Sequence, residues 1–191
     1  MLIASTVLSP HPASAPADFF WEDLLEYIEE GRVVPIIGAE LLTIPDDAGG
    51  EVLLQDKLAR GLADRLGLPA PDGAAGDALN QVVCRHLERG GRREEIYPRI
   101  RNLLKELAPP VPEPLRQLAR IRHFRLFVST TFDSLLAQAI DEERHGAKAK
   151  TTSLVFAPTH EADLPTDYDR EGDIPTVFVG WAPDCDWRVG V

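Results

Sequence analysis

The hydrophobic positions of this chain repeat mostly at helical spacing. Trp21, Leu24, Leu25 and Ile28 recur at i, i+3, i+4 and i+7. They predict one apolar stripe on a helix over 19–30. Asp18 can cap that helix and Gly31 can end it, while Glu22, Asp23, Glu26, Glu29 and Glu30 face water. Leu54, Leu58, Leu62 and Leu66 step by four and predict a helix over 52–66. A second helix is expected over 78–88, stopped by Gly90 and Gly91. A third spans 93–107, with Ile96, Ile100, Leu103, Leu104 and Leu107 on one side. Pro98 is expected in or near the first turn of that helix, where a missing N–H costs least. A short helix over 115–121 and another over 132–143 follow, the latter burying Leu135, Leu136, Ala139 and Ile140.

Four stretches read as strands instead. Residues 33–37 are short, apolar and β-branched, the pattern of a strand buried on both faces in a parallel sheet. Pro35 removes a ladder donor, which predicts that this strand lies near an edge or pairs only briefly. Residues 125–129, 154–156 and 176–179 are the others. Turn-rich or Pro-rich connectors cover 45–50, 67–76 and 109–114. The order is strand, several helices, strand, helix, strand, loop, strand. It predicts an α/β layered domain with a mostly parallel sheet. The helices over 52–121 exceed one crossover and read as a helical insertion between the first two strands. Residues 1–17 read as a disordered lead-in and 18–191 as one domain, with an atypical tail over 179–191.

Composition narrows the classes. With 191 residues, 44% apolar and 27% charged, the chain can build its own core. The formal net charge of −11 argues against a phosphate-binding nucleic-acid surface, which needs clustered Lys and Arg. Arg92, Arg93, Arg99 and Arg101 alternate with Glu94, Glu95 and Glu106, as on a solvated helix face. Cys84 and Cys185 are far apart and in no CxxC pair, which rules against a structural zinc site. A single disulfide stays open beside the reading favoured here, reduced thiols in a cytoplasmic protein. No apolar run approaches the roughly 20 residues of a membrane span. The first residues lack a basic region, and Pro10, His11 and Pro12 interrupt any apolar core of a signal peptide.

Two strand ends carry the candidate chemistry. Gly38 and Ala39 follow the first strand, where small residues let backbone N–H groups approach a phosphate; the same pair also makes an ordinary tight turn. Glu40 repels a pyrophosphate unless it turns away or binds a ribose hydroxyl. Ser129, Thr130, Thr131 and Asp133 follow the second strand, at the end where open α/β sheets bind ligands. The alternative is helix capping, with Thr131 as N-cap and Asp133 in the first turn. His86, His123, His145 and His160 are scattered and read as surface residues. The chain has no HExxH, P-loop, GxGxxG or usable Ser-His-Asp spacing, and Asp184 and Asp186 flank Cys185 without a ligand set.

Taken together, the two strand ends resemble the SIR2-like (sirtuin-related) family, in particular its zinc-less bacterial members that deplete NAD in anti-phage defence. That family has an apolar strand ending in a GAG-type turn, and a T-[TQ]-N-x-D segment before a leucine-rich helix. The matching residues here are Val33 to Leu41 and Ser129 to Leu136, with Trp21 to Leu25 similar to the family's opening helix. The resemblance implies a Rossmann-like three-layer domain of SIR2-like/DHS type. It implies NAD as substrate or ligand, no metal, and hydrolysis of the bond between nicotinamide and ribose. It assigns NAD contacts to Gly38, Ala39, Glu40, Ser129, Thr130, Thr131 and Asp133, with Asp133 and Thr131 as catalytic candidates. It also admits a protein partner or a second copy of the chain, and no nucleic acid or membrane. Three departures accompany it. Glu40 replaces the family's second glycine, and Thr131 replaces its asparagine. The strand at Val177 to Gly180 lacks the family's general-base histidine, as in a truncated or divergent C-terminus. The resemblance therefore leaves open a non-catalytic nucleotide-binding or interaction module, or an inactive fragment.

Overall fold

The structure is a computed structural model that describes residues 17–46, 49–72, 76–148, 150–155 and 176–179. The lead-in before residue 17, His160 and the tail with Asp184, Cys185 and Asp186 lie outside these residues.

The described chain is mixed α/β, with six α-helices and a small parallel sheet. Helix α1 is Ala17–Glu29, and strand β1 is Ile36–Ile37. A single 3-10 turn, Ala39–Leu41, follows β1. Strands β2 (Thr43–Pro45) and β3 (Glu51–Leu53) form an antiparallel hairpin. Helices α2 (Leu54–Leu66), α3 (Ala78–Glu88), α4 (Arg93–Leu107) and α5 (Glu113–Arg120) come next. Strand β4 (Leu126–Ser129), helix α6 (Leu135–His145), strand β5 (Thr152–Val155) and strand β6 (Thr176–Val179) complete the order. The sheet runs β1-β4-β6-β5, all parallel.

The hairpin is the element that the hydrophobic pattern misses. Its turn is closed by the Asp46 N–H on the Gly50 carbonyl (2.9 Å). Pairing Val52 with Ile44 delays the start of α2 to Leu54, two residues later than its leucine spacing alone suggests.

Helix α2 joins two parts of the core because its two faces are both apolar. Leu54 and Leu58 pack with Ile37, Phe127, Leu115, Ala119, Leu136 and Ile140, beneath the sheet. Ala59, Leu62 and Ala63 pack with Val82, Ile96 and Ile100 of the next two helices. Gly67 takes the left-handed conformation (φ +63°) that ends α2.

Three expectations are corrected. First, β1 spans only two residues and is buried on one face. Ile37 is 2% exposed and Ile36 is 72% exposed. Alternation along the strand puts Ile37 and Phe127 on the helix side, and no described element covers Ile36. Pro35 behaves as its chemistry requires: its carbonyl accepts from the Val128 N–H (3.0 Å), and β1 lies at the sheet edge. Second, Ile28 of α1 reaches the core, but Trp21 (59%) and Leu25 (57%) remain exposed. Third, Pro98 is the sixth residue of α4, beyond its first turn, and the helix continues through it.

Arg144 holds α6 against the segment before β4. Its guanidinium donates to the carbonyls of Ala119 (2.6 Å), Phe124 (2.8 Å) and Ile121 (2.8 Å). It also lies 5.4 Å from the centre of the Phe127 ring. Burial pulls its pKa below the ordinary arginine value, with the Arg122 charge acting in the same direction.

Candidate functional site

The register of the two adjacent parallel strands builds the site. Ile37 stands beside Ser129, so the turn at Gly38, Ala39 and Glu40 emerges next to the turn at Thr130, Thr131 and Asp133. Thr130 ties them together. Its N–H and its hydroxyl both donate to the Ile37 carbonyl, at 2.9 and 3.1 Å. All seven residues singled out from the sequence therefore meet at the carboxyl ends of β1 and β4, where open parallel sheets take ligands.

Gly38 is in extended backbone (φ −102°, ψ 180°), a conformation open to any residue. Its lack of a side chain matters for space. A methyl group there would run into Glu40 Oε2, because the Glu40 side chain folds over the Gly38 Cα. Glu40 is solvent-exposed, so this carboxylate can swing away.

On the β4 side, Ser129 and Thr131 are buried. Their hydroxyls share a hydrogen bond of 2.8 Å, and the Thr131 N–H donates to Ser129 Oγ (3.3 Å). Asp133 is half-buried, and its Oδ1 accepts from the Leu135 N–H (2.9 Å). Burial pushes the Asp133 carboxyl above its usual pKa, opposed by the Leu135 N–H and the Thr131 hydroxyl. The group is thus a carboxylate held at a cost in solvation, next to two hydroxyls.

The capping alternative is right in kind but wrong in residue. Helix α6 begins at Leu135, later than residue 132, and Ser134 occupies the N-cap position without a side-chain cap bond. Asp133, rather than Thr131, satisfies a free N–H of the first turn. An aspartate accepting from the N–H two residues ahead is an Asx turn, and Asp-Ser before a leucine-rich run is the sequence signal for it.

The described histidines lie elsewhere. His86 of α3 is 3.1 Å from Glu95 of α4, and is thus not the lone surface residue its sequence suggests. His123 precedes β4 and His145 ends α6, both at the opposite end of these elements from the site. Among the described residues no cluster of three or more His, Cys, Asp or Glu is placed to hold a metal ion. Cys84 is exposed on α3.

In comparisons with known proteins, no family model matches this chain. No curated protein matches it significantly.

Proposed function

We propose that this chain is a SIR2-like NAD-binding domain of Rossmann-like type, which takes the nicotinamide ribose across the carboxyl ends of β1 and β4. The observation that carries this reading is the double hydrogen bond from Thr130 to the Ile37 carbonyl. It joins the two turns whose residues together resemble the family. The groups present suit a ribose. Asp133 and Glu40 offer acceptors for sugar hydroxyls, and Thr130 Oγ1, its proton given to the Ile37 carbonyl, offers a further acceptor. The pyrophosphate requires the Glu40 carboxylate to leave the space above Gly38.

In the reaction that the resemblance implies, the bond between nicotinamide and ribose breaks and positive charge develops on the sugar. A carboxylate near that charge stabilises it, which is the role assigned to Asp133. Thr131 favours the charged form of that carboxylate against the burial that opposes it. The biological setting that fits is cytoplasmic NAD depletion in a bacterial defence system, with a protein partner or a second copy of the chain.

A second reading is a non-catalytic nucleotide-binding module. It is favoured by the mutual engagement of the Ser129 and Thr131 hydroxyls and by the distance of His86, His123 and His145 from the site. One experiment separates the two. The purified chain is incubated with NAD while nicotinamide release is followed, and binding is measured in parallel by calorimetry. Release that is lost in Asp133→Asn supports the enzyme. Binding without release supports the module. Neither binding nor release removes both.

A further inference from the structure

Helix α1 presents an apolar face that the rest of the described fold leaves uncovered. Ile28 packs into the core and Leu24 is half-buried, and these anchor the helix. Phe20, Trp21, Leu25 and Tyr27 stay exposed, at 62, 59, 57 and 44%. The Phe20 and Trp21 rings meet edge to face at 5.4 Å, so the two aromatics form one surface feature. Trp21 and Leu25 are one turn apart on the same side as Ile28. Such a cluster of rigid, large side chains is the composition of a binding anchor rather than of a solvated helix.

The charges around this face select its occupant. Helix α1 carries Glu22, Asp23, Glu26 and Glu29 beside this face, and no Lys or Arg in its thirteen residues. Among the described residues, none of Glu22, Asp23 and Glu26 forms an ion pair. The nearest cation in sequence, Arg32, is already engaged with Glu30 (3.2 Å) and the Tyr27 ring (4.7 Å). A second copy would bring the same four carboxylates against these, from a chain of net charge −11. An anionic membrane surface would repel them too.

We propose that α1 is a docking helix for another protein, which receives Phe20, Trp21 and Leu25 in an apolar groove rimmed by lysine or arginine. The apolar anchors supply affinity, and the carboxylates supply orientation and partner choice.

The test uses the full chain and two designed amphipathic helical peptides, one of leucine and lysine and one of leucine and glutamate, titrated by calorimetry. The Leu/Lys peptide is expected to bind saturably and the Leu/Glu peptide not. The variant F20S/W21S/L25S is expected to weaken binding by more than about tenfold while its circular dichroism stays that of the parent. The variant E22K/E26K is expected to reverse the preference between the peptides. Equal binding of both peptides, or undiminished binding by the triple-serine variant, overturns the proposal. So does a parent that sediments as a dimer and becomes a monomer in the triple-serine variant, which assigns the face to a second copy.

Discussion

The Ile37 carbonyl accepts two hydrogen bonds from one residue, the Thr130 N–H at 2.9 Å and the Thr130 hydroxyl at 3.1 Å. The first continues the parallel ladder one residue past β4. The second is a side-chain clamp at the point where both chains turn away from the sheet. Replacing Thr130 by valine keeps the shape and removes only the clamp. The expected loss is about 0.5–1.5 kcal/mol in urea unfolding, with Thr130→Ser close to the parent. Any ligand binding at the site should fall more in Thr130→Val than in Thr130→Ser. Equal stability of all three proteins would show that the clamp contributes nothing.

Asp133 makes a prediction about pH. Burial raises its pKa in the folded state, so folding favours the protonated carboxyl. That stabilisation is complete below the unfolded-state value of about 3.9, and it is lost as pH rises through the higher folded-state value. Above that window the fold holds a poorly solvated carboxylate. An asparagine is neutral throughout and still offers an oxygen to the Leu135 N–H. The stability of Asp133→Asn relative to the parent should therefore increase as pH rises across the window and level off above it. Denaturant melts of both proteins over an acid-to-neutral series measure the difference. A difference that is flat or falls with pH contradicts the assignment.

Neighbouring isoleucines in β1 should respond oppositely. Ile37 lies among Leu54, Phe127 and Leu136, and Ile37→Ala should cost about 2–5 kcal/mol. Ile36 is largely exposed, and Ile36→Thr should stay within about 0.5 kcal/mol of the parent. Thermal unfolding of the pair checks both. A large loss in Ile36→Thr would mean that something covers this face of the sheet.

Much of this architecture can be read from the sequence because local pattern and packing agree. The leucine and isoleucine spacing gives α3 and α4 their observed bounds, and residues 176–179 pair as a strand with β4. Pro35 is informative because a missing donor restricts where proline can sit, and here it directly precedes a two-residue strand at the sheet edge. The hairpin of β2 and β3 is illegible because Thr43, Ile44 and Pro45 are too few to show alternation, and their partner Glu51 to Leu53 merges into the leucine pattern of α2. The exposure of Trp21 and Leu25 is illegible for another reason. An apolar stripe says that a helix has a partner, but not whether the partner belongs to the same chain. The seven site residues are legible from residue type and position after a strand. What the sequence withholds is the orientation of Glu40 over Gly38.

Arg144 should tolerate no conservative replacement. Its three donors reach three separate carbonyls in the chain before β4, which the planar fork of a guanidinium allows and a single ammonium does not. Arg144→Lys and Arg144→Ala should both lose about 2–4 kcal/mol. Lysine should recover only a minor part. Urea midpoints of the two variants decide it, and a lysine variant equal to the parent would show that one contact carries the effect.

The relationship between Gly38 and Glu40 separates a structural turn from a ligand site. The Gly38 backbone needs no glycine, and the only close obstacle to a methyl group is the end of a flexible, exposed carboxylate. Gly38→Ala should therefore fold with a stability within about 0.5 kcal/mol of the parent, after Glu40 has moved aside. If the space above Gly38 receives a phosphate, the same alanine should weaken NAD binding by about tenfold or more, since it fills the path of closest approach. Glu40→Gln keeps the bulk and removes the repulsion, so it should strengthen NAD binding, and the gain should shrink as salt screens the charge. Calorimetric titrations of NAD into the two variants and the parent, at low and high ionic strength, measure both effects. Unchanged affinity in both variants would leave Gly38 and Glu40 as a turn and remove them from the site.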